Sequence, residues 1–217
     1  MSLCLSVDFS TPTHLLGLLE GDAVIEERFL DTQEPLSLAC AEMMRAHDVQ
    51  WQSLEKIVCG KGPGSFTGLR VALSFCKGLA FSRSIPLLLA PGLDAAAITA
   101  STDRPLCVAL CRAGREQCFA ALASSGQLIA SARLLPHPAL AALCQKASSD
   151  PPTIVCMDAD PSLPSAEWER YCVAPMTWSR AMLSLAGAPA QTVAEISACA
   201  PEYGRPVSAK TIAERSG

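Results

Sequence analysis

The chain has 217 residues, half of them hydrophobic, and 17 Lys and Arg against 21 Asp and Glu give it a net charge of −4. That length suits one large domain or two small ones and buries a substantial core. The acidic balance and the scattered basic residues exclude a protein that grips nucleic acid over its own broad basic surface.

In chain order, Leu3 to Val7, His14 to Leu19 and Ala23 to Phe29 read as strands, the last two joined by a tight turn at Glu20-Gly21-Asp22. Asp31 and Glu34 have the spacing of a capping box for a helix running to about Asp48, with Pro35 tolerated in its first turn. A strand over Lys56 to Cys59 leads into the run KGPGSFTGLR, Lys61 to Arg70, and then a helix over Leu69 to Ser82. Ile85 to Leu89 reads as a strand and Leu93 to Ala100 as a helix. Ser101 to Pro105 is polar and proline-terminated, a natural boundary between subdomains at 1–102 and 103–217. Strands are then expected at Leu106 to Leu110, Cys118 to Ala123, Gln127 to Ala132 and Ile154 to Met157, and helices at Ala139 to Lys146 and Arg180 to Ala186. The second half repeats the order of the first loosely, as two α/β halves of unequal completeness.

The N-terminus does not read as a signal peptide, because Asp8 ends a short apolar stretch. No segment reaches the ~20 apolar residues of a membrane span. A cytoplasmic chain is the expectation. The eleven cysteines are odd in number and contain no C-x-x-C. Most sit within apolar runs, as Cys4, Cys59, Cys76 and Cys156 do, which suits free buried thiols in a reducing compartment and no metal site.

The glycine-rich run is the richest motif. A turn of this kind from strand to helix serves an anion at the helix N-terminus, or it allows close packing of a backbone neighbour. It is not a Walker loop, since Leu69 and Arg70 follow Gly68. Gly62, Gly64 and Gly68 are one residue too widely spaced for the dinucleotide fingerprint. Ser65 lacks the flanking glycines of a nucleophile elbow.

GPGSFTGLR, followed by a small-residue helix and Ile85-Pro86-Leu87, resembles the TsaB (YeaZ) family. Ser6 to Thr11 resembles that family's opening strand, Trp51 to Ile57 the segment before its glycine loop, and Pro201 to Arg205 its C-terminal Pro-x-Tyr-Leu-Arg signature, with Gly204 where Leu is usual. Leu36 and Ser37 stand where the family often has His-Ser, and Cys111-Arg112-Ala113 where it tends to have Asp-Ala-Arg. The resemblance implies an actin-like ATPase (ribonuclease H-like) α/β fold of two subdomains, the second degenerate.

For function, the resemblance implies a noncatalytic partner subunit in the formation of threonylcarbamoyladenosine beside the anticodon of tRNAs that read codons starting with A. TsaD would perform the transfer, this chain would brace TsaD or pair with a second copy of itself, TsaE would act on the pair, and tRNA would be met only through the complex. No catalytic residue and no metal ligand is assigned here. His14, His47 and His137 are too far apart for the His-x-x-x-His metal pair of TsaD, and neither Met157-Asp158-Ala159-Asp160 nor Ala186-Gly187-Ala188 supplies a second glycine-rich phosphate turn. Gly62, Gly64, Ser65, Thr67, Gly68 and Arg70, with Asp8, are the residues expected to face a nucleotide or the partner, ATP or ADP being expected only at the partner junction. An autonomous small-molecule kinase or a peptidase of the same superfamily is the alternative.

The helix over Leu69 to Ser82 is apolar around most of its circumference, with Arg70, Ser74 and Lys77 its polar stripe. The helix after Pro35 is also apolar beyond one face. Such helices lie in a core or against another chain. The resemblance implies the second, and Leu38, Met43, Met44, Leu69, Leu73, Cys76, Lys77, Leu79 and Ala80 are the expected contacts.

Overall fold

The computed structural model describes residues 2–12, 14–31, 33–102, 104–114, 116–147, 153–156, 169–171 and 178–204. β1 (Leu3–Asp8), β2 (His14–Glu20) and β3 (Ala23–Leu30) form an antiparallel meander. β4 (Leu54–Gly60) and β5 (Leu87–Ala90) add in parallel on the other side of β1, giving the order β3-β2-β1-β4-β5. The second sheet repeats the plan. β6 (Cys107–Arg112), β7 (Gln117–Ser124) and β8 (Gln127–Pro136) are the meander, and β9 (Thr153–Cys156) and β10 (Glu169–Tyr171) add in parallel, in the order β10-β9-β6-β7-β8. The central strands β1 and β6 are covered on both faces, so their sequences LCLSVD and CVALCR are nearly unbroken apolar runs. Edge strand β8 alternates between exposed and half-buried positions, as a strand covered on one face should.

Helices fill the layers. α1 (Leu36–Ala46) and α2 (Phe66–Arg83) cover the outer face of the first sheet, where Met43, Met44, Leu73 and Cys76 meet Leu5, Val7 and Ile57. α3 (Gly92–Ala100) and α5 (Trp178–Leu185) lie between the sheets. Ala95, Ala96 and Ala97 of α3 keep that layer thin, so one core joins Cys4 and Val58 of the first sheet to Cys107 and Ala121 of the second. α4 (His137–Ala147) covers the far face of the second sheet through Leu140 and Cys144. α6 (Val193–Ala198) returns to pack on α2.

Several boundaries differ from expectation. α1 starts at Leu36 with Pro35 as an uncapped N-terminal residue, and the Glu34 N–H donates to the Asp31 backbone carbonyl (3.0 Å) in a turn. The capping box predicted there does not cap the helix, because the proline moves the helix start downstream of it. α2 starts at Phe66, three residues before the predicted position, so Thr67 and Gly68 lie in its first turn and not in the loop. Met157 to Asp160 and Arg205 lie outside the described residues.

α5 is tied to the first sheet by one buried carboxylate. Glu27 of β3 accepts from the backbone N–H groups of Trp178 (3.4 Å) and Ser179 (2.5 Å) at the helix start. It satisfies donors that a helix end leaves open and places negative charge at the positive end of the dipole. Glu27→Gln keeps one acceptor and loses the charge, at a cost of about 1–2 kcal/mol. Calorimetry is expected to show a melting temperature lower by roughly 3–6 °C, and an unchanged value would mean that Glu27 does not hold α5.

Candidate functional site

The glycine loop leads from β4 into α2 and is built for contact between backbones. The Ser65 N–H donates to the Ser10 carbonyl (2.5 Å), and the Ser65 side chain caps α2 by accepting from the Gly68 N–H (3.2 Å). A Cβ at Gly64 would overlap the Ser10 carbonyl, and one at Gly68 the Phe9 carbonyl. Gly62, at φ +103°, backs onto the Glu202 carbonyl. Of the two uses open to such a loop, close packing accounts for all three glycines.

Asp8 ends β1 beneath this loop. It is fully buried, its Oδ1 accepts from the Ser10 N–H (2.9 Å), and its Oδ2 has no hydrogen-bond partner among the described residues. Gly60 and Gly92 crowd the carboxylate so closely that a Cβ on either would overlap it. Burial pushes the Asp8 carboxyl up from its ordinary 3.8 to about 6, against the lowering effect of the hydrogen bond from the Ser10 N–H.

The fold class implies a metal–nucleotide group near this strand end, and the residues here do not fit one. The Ser65 and Gly68 amides are engaged within the chain, the loop lies on the Phe9 and Ser10 carbonyls, and Asp8 has no exposed oxygen. Among the described residues no group of three or more His, Cys, Asp and Glu side chains is placed to hold a metal ion. Cys4, Cys40, Cys59, Cys76, Cys107 and Cys144 are buried free thiols, and the free thiol of Cys199 is half-buried.

The C-terminal segment straps the loop from outside. Glu202 donates its N–H to the Lys61 carbonyl (2.6 Å), and its carboxylate pairs with the Lys61 Nζ (2.8 Å). The Arg70 Nε donates to the Tyr203 hydroxyl (2.9 Å), and the guanidinium lies over the Phe66 ring at 3.8 Å. Phe66 and Tyr203 themselves pack with ring centroids 4.7 Å apart. The Lys77 Nζ donates to the Ser197 carbonyl (2.8 Å). Gly204 has φ +68°, and a Cβ there would press on Phe119 and Pro63, so the leucine of the usual signature would be strained and crowded at this position.

The expected contact residues divide. Met43, Met44, Leu69, Leu73, Cys76 and Ala80 are buried in this chain's own core, so they offer no surface to a partner. Leu38 is exposed, and Lys77 and Leu79 are half-buried. The outward face of α2 carries residues not expected there, namely Phe66, Val71, Gly78 and Phe81, together with Ser74 of the predicted polar stripe. Helical spacing reveals such a face only when the opposite one is assigned to the core, and here both are apolar.

Two copies of one five-stranded α/β topology, with an aspartate closing the first strand beside a glycine loop, define a protein of the actin-like class. The profile of the family described as "TsaD: tRNA N6-adenosine threonylcarbamoyltransferase" matches residues 31–159, and the chain belongs to that family. It is 35% identical over 94 residues to the tRNA threonylcarbamoyladenosine biosynthesis protein TsaB of Bacillus subtilis (strain 168), a match covering 42% of this chain and 41% of that relative. The match thus spans about two fifths of the relative's length. An uncharacterized protein from Pseudomonas aeruginosa with similarity to peptidase YEAZ superposes with a TM-score of 0.69 at 20% identity, over 94% of this chain and all of that one. YeaZ from Pseudomonas aeruginosa gives 0.63 at 20% identity, over 85% and 90% of the two chains. These two likenesses show the fold. No helix among the described residues is long and apolar enough to cross a membrane.

Proposed function

We propose that the chain takes part in forming threonylcarbamoyladenosine on tRNA as a noncatalytic subunit, docking on a TsaD-type enzyme through the outward faces of α1 and α2. The observation that carries this reading is where the exposed apolar side chains lie. Among the described residues, four of the seven large ones, Leu38 (51% exposed), Phe66 (38%), Val71 (48%) and Phe81 (39%), sit on these two helices, which concentrates unpartnered apolar surface on one face. Gly78 lies in the interior of α2 with nothing within 4 Å of its Cβ position. An exposed glycine there costs about 1 kcal/mol relative to alanine, and close approach of a second helix is the use that offsets it.

On this reading TsaD supplies the metal and the transfer chemistry, TsaE acts on the pair, tRNA is reached through the complex, and any ATP or ADP belongs at the TsaD junction. A second copy of this chain would compete for the same helices. The closed surroundings of Asp8 give the kinase alternative no support, and no described nucleophile–base pair favours a peptidase.

Reconstitution tests the reading. TsaD and TsaE with tRNA and a source of threonylcarbamoyl-adenylate are assayed with and without this chain, and the modified nucleoside is measured by mass spectrometry of digested tRNA. Product should appear with all the proteins present, fall sharply when this chain is omitted, and be absent with this chain alone. Modification by the chain alone, or an unchanged rate without it, would contradict the proposal.

A further inference from the structure

We propose that Arg70 is the anchoring point for a carboxylate of the protein partner, and that the C-terminal strap holds it ready through Tyr203. This rests on the reading that α1 and α2 dock on a TsaD-type chain. Among the described residues three cations, Lys61, Arg70 and Lys77, lie beside the strap, and two are already occupied; Arg45 and Arg83 stand apart from it, in the last turns of α1 and α2. Lys61 is paired with Glu202 at 2.8 Å, and Lys77 donates to the Ser197 carbonyl at 2.8 Å. Arg70 is exposed and has no carboxylate within ion-pair distance among the described residues. Its Nε is engaged by the Tyr203 hydroxyl and its plane rests on Phe66, while no described residue accepts from its two Nη groups.

A guanidinium fixed in this way has already lost most of its rotamer freedom, so binding need not immobilise it. Its remaining donors form the planar fork that matches a carboxylate edge to edge. Phe66 and Val71 beside it supply apolar surface that excludes water from the pair once the faces meet, the usual surroundings of an energetic hot spot.

The local charge selects the anion. A phosphate dianion calls for several uncompensated cations, whereas Arg70 stands alone and the Glu202 carboxylate lies on the same strap as Tyr203. One bidentate carboxylate balances this surface.

The test is the affinity of the purified chain for its TsaD partner, by interferometry over a range of salt concentrations, for wild type, Arg70→Met, Arg70→Lys, Tyr203→Phe and Val71→Asp. Arg70→Met is expected to weaken binding by about 10–100-fold and to flatten its salt dependence. Arg70→Lys should recover little, for want of the fork. Tyr203→Phe, which frees the Nε and loosens the stack, should weaken binding by a smaller factor and leave the salt dependence in place. Wild-type affinity in Arg70→Met overturns the inference, as does loss of the wild-type complex on adding inorganic phosphate while the Arg70→Met complex persists. Binding abolished by Val71→Asp but not by Arg70→Met would remove this inference and leave the docking surface standing. No binding by the wild type would remove both.

Discussion

Asp8→Asn is expected to stabilise the chain at neutral pH, raising its melting temperature at pH 7.5 by roughly 5–10 °C. The folded carboxyl holds its proton up to about pH 6, while the unfolded one releases it near 3.8. Between those values the folded state binds more protons than the unfolded state, so stability falls as pH rises through the window and stays low above it, by about 3 kcal/mol in total. Asparagine removes that linkage and keeps an acceptor for the Ser10 N–H. Its own amide donors find no better partner at Gly60 and Gly92 than Oδ2 does, which trims the gain. Calorimetry at pH 4 and pH 7.5 should show variant and wild type close together at the lower pH and well separated at the higher one. Equal melting temperatures at both would mean that this carboxylate is not the source of strain.

Much of the architecture is legible because burial on both faces writes itself into a strand. β1, β2 and β6 stand out as near-continuous apolar runs, and the turn at Gly21-Asp22 follows from its residues. Helix starts are less legible, and two capping signatures show why. Asp31 and Glu34 have the spacing, but Pro35 shifts the helix start beyond them. Thr192 and Glu195 have the same spacing and do form the box. The Thr192 hydroxyl accepts from the Glu195 N–H, and the Glu195 carboxylate accepts from the Gln191 and Thr192 N–H groups. That signature marks α6, a helix absent from the sequence expectations although its residues announce it. Ser65 caps α2 with glycine at the third helical position, where a box would have Glu or Gln, so the start at Phe66 carries no comparable sign.

The candidate site was legible in its residues and less so in its geometry. The glycines at 62, 64 and 68 stand out as a motif, but the sequence alone does not show that they lie against the carbonyls of Glu202, Ser10 and Phe9. On α2 the buried stripe of Leu69, Leu73, Cys76 and Ala80 and the outward Phe66, Val71 and Phe81 are equally apolar. Which half faced the core depended on the sheet beneath.

The second large effect is on assembly. An aspartate at Leu38 or Val71 points into solvent in the free chain, so each change should leave its fold and melting temperature essentially intact. In a docked face the same carboxylate is desolvated beside apolar groups without a partner, at a cost of several kcal/mol, enough to lower affinity by about a thousandfold for 4 kcal/mol. Gly78→Ala sharpens the distinction. It should stabilise the free chain by about 1 kcal/mol through helix propensity and weaken the complex by crowding the helix crossing. The most direct measurement is therefore the dissociation constant for TsaD of the wild-type chain and of the Leu38→Asp, Val71→Asp double variant, with melting temperatures taken on the same samples. The account predicts a wild-type complex, its loss in the double variant, and equal melting temperatures. Wild-type affinity in a folded double variant would contradict it.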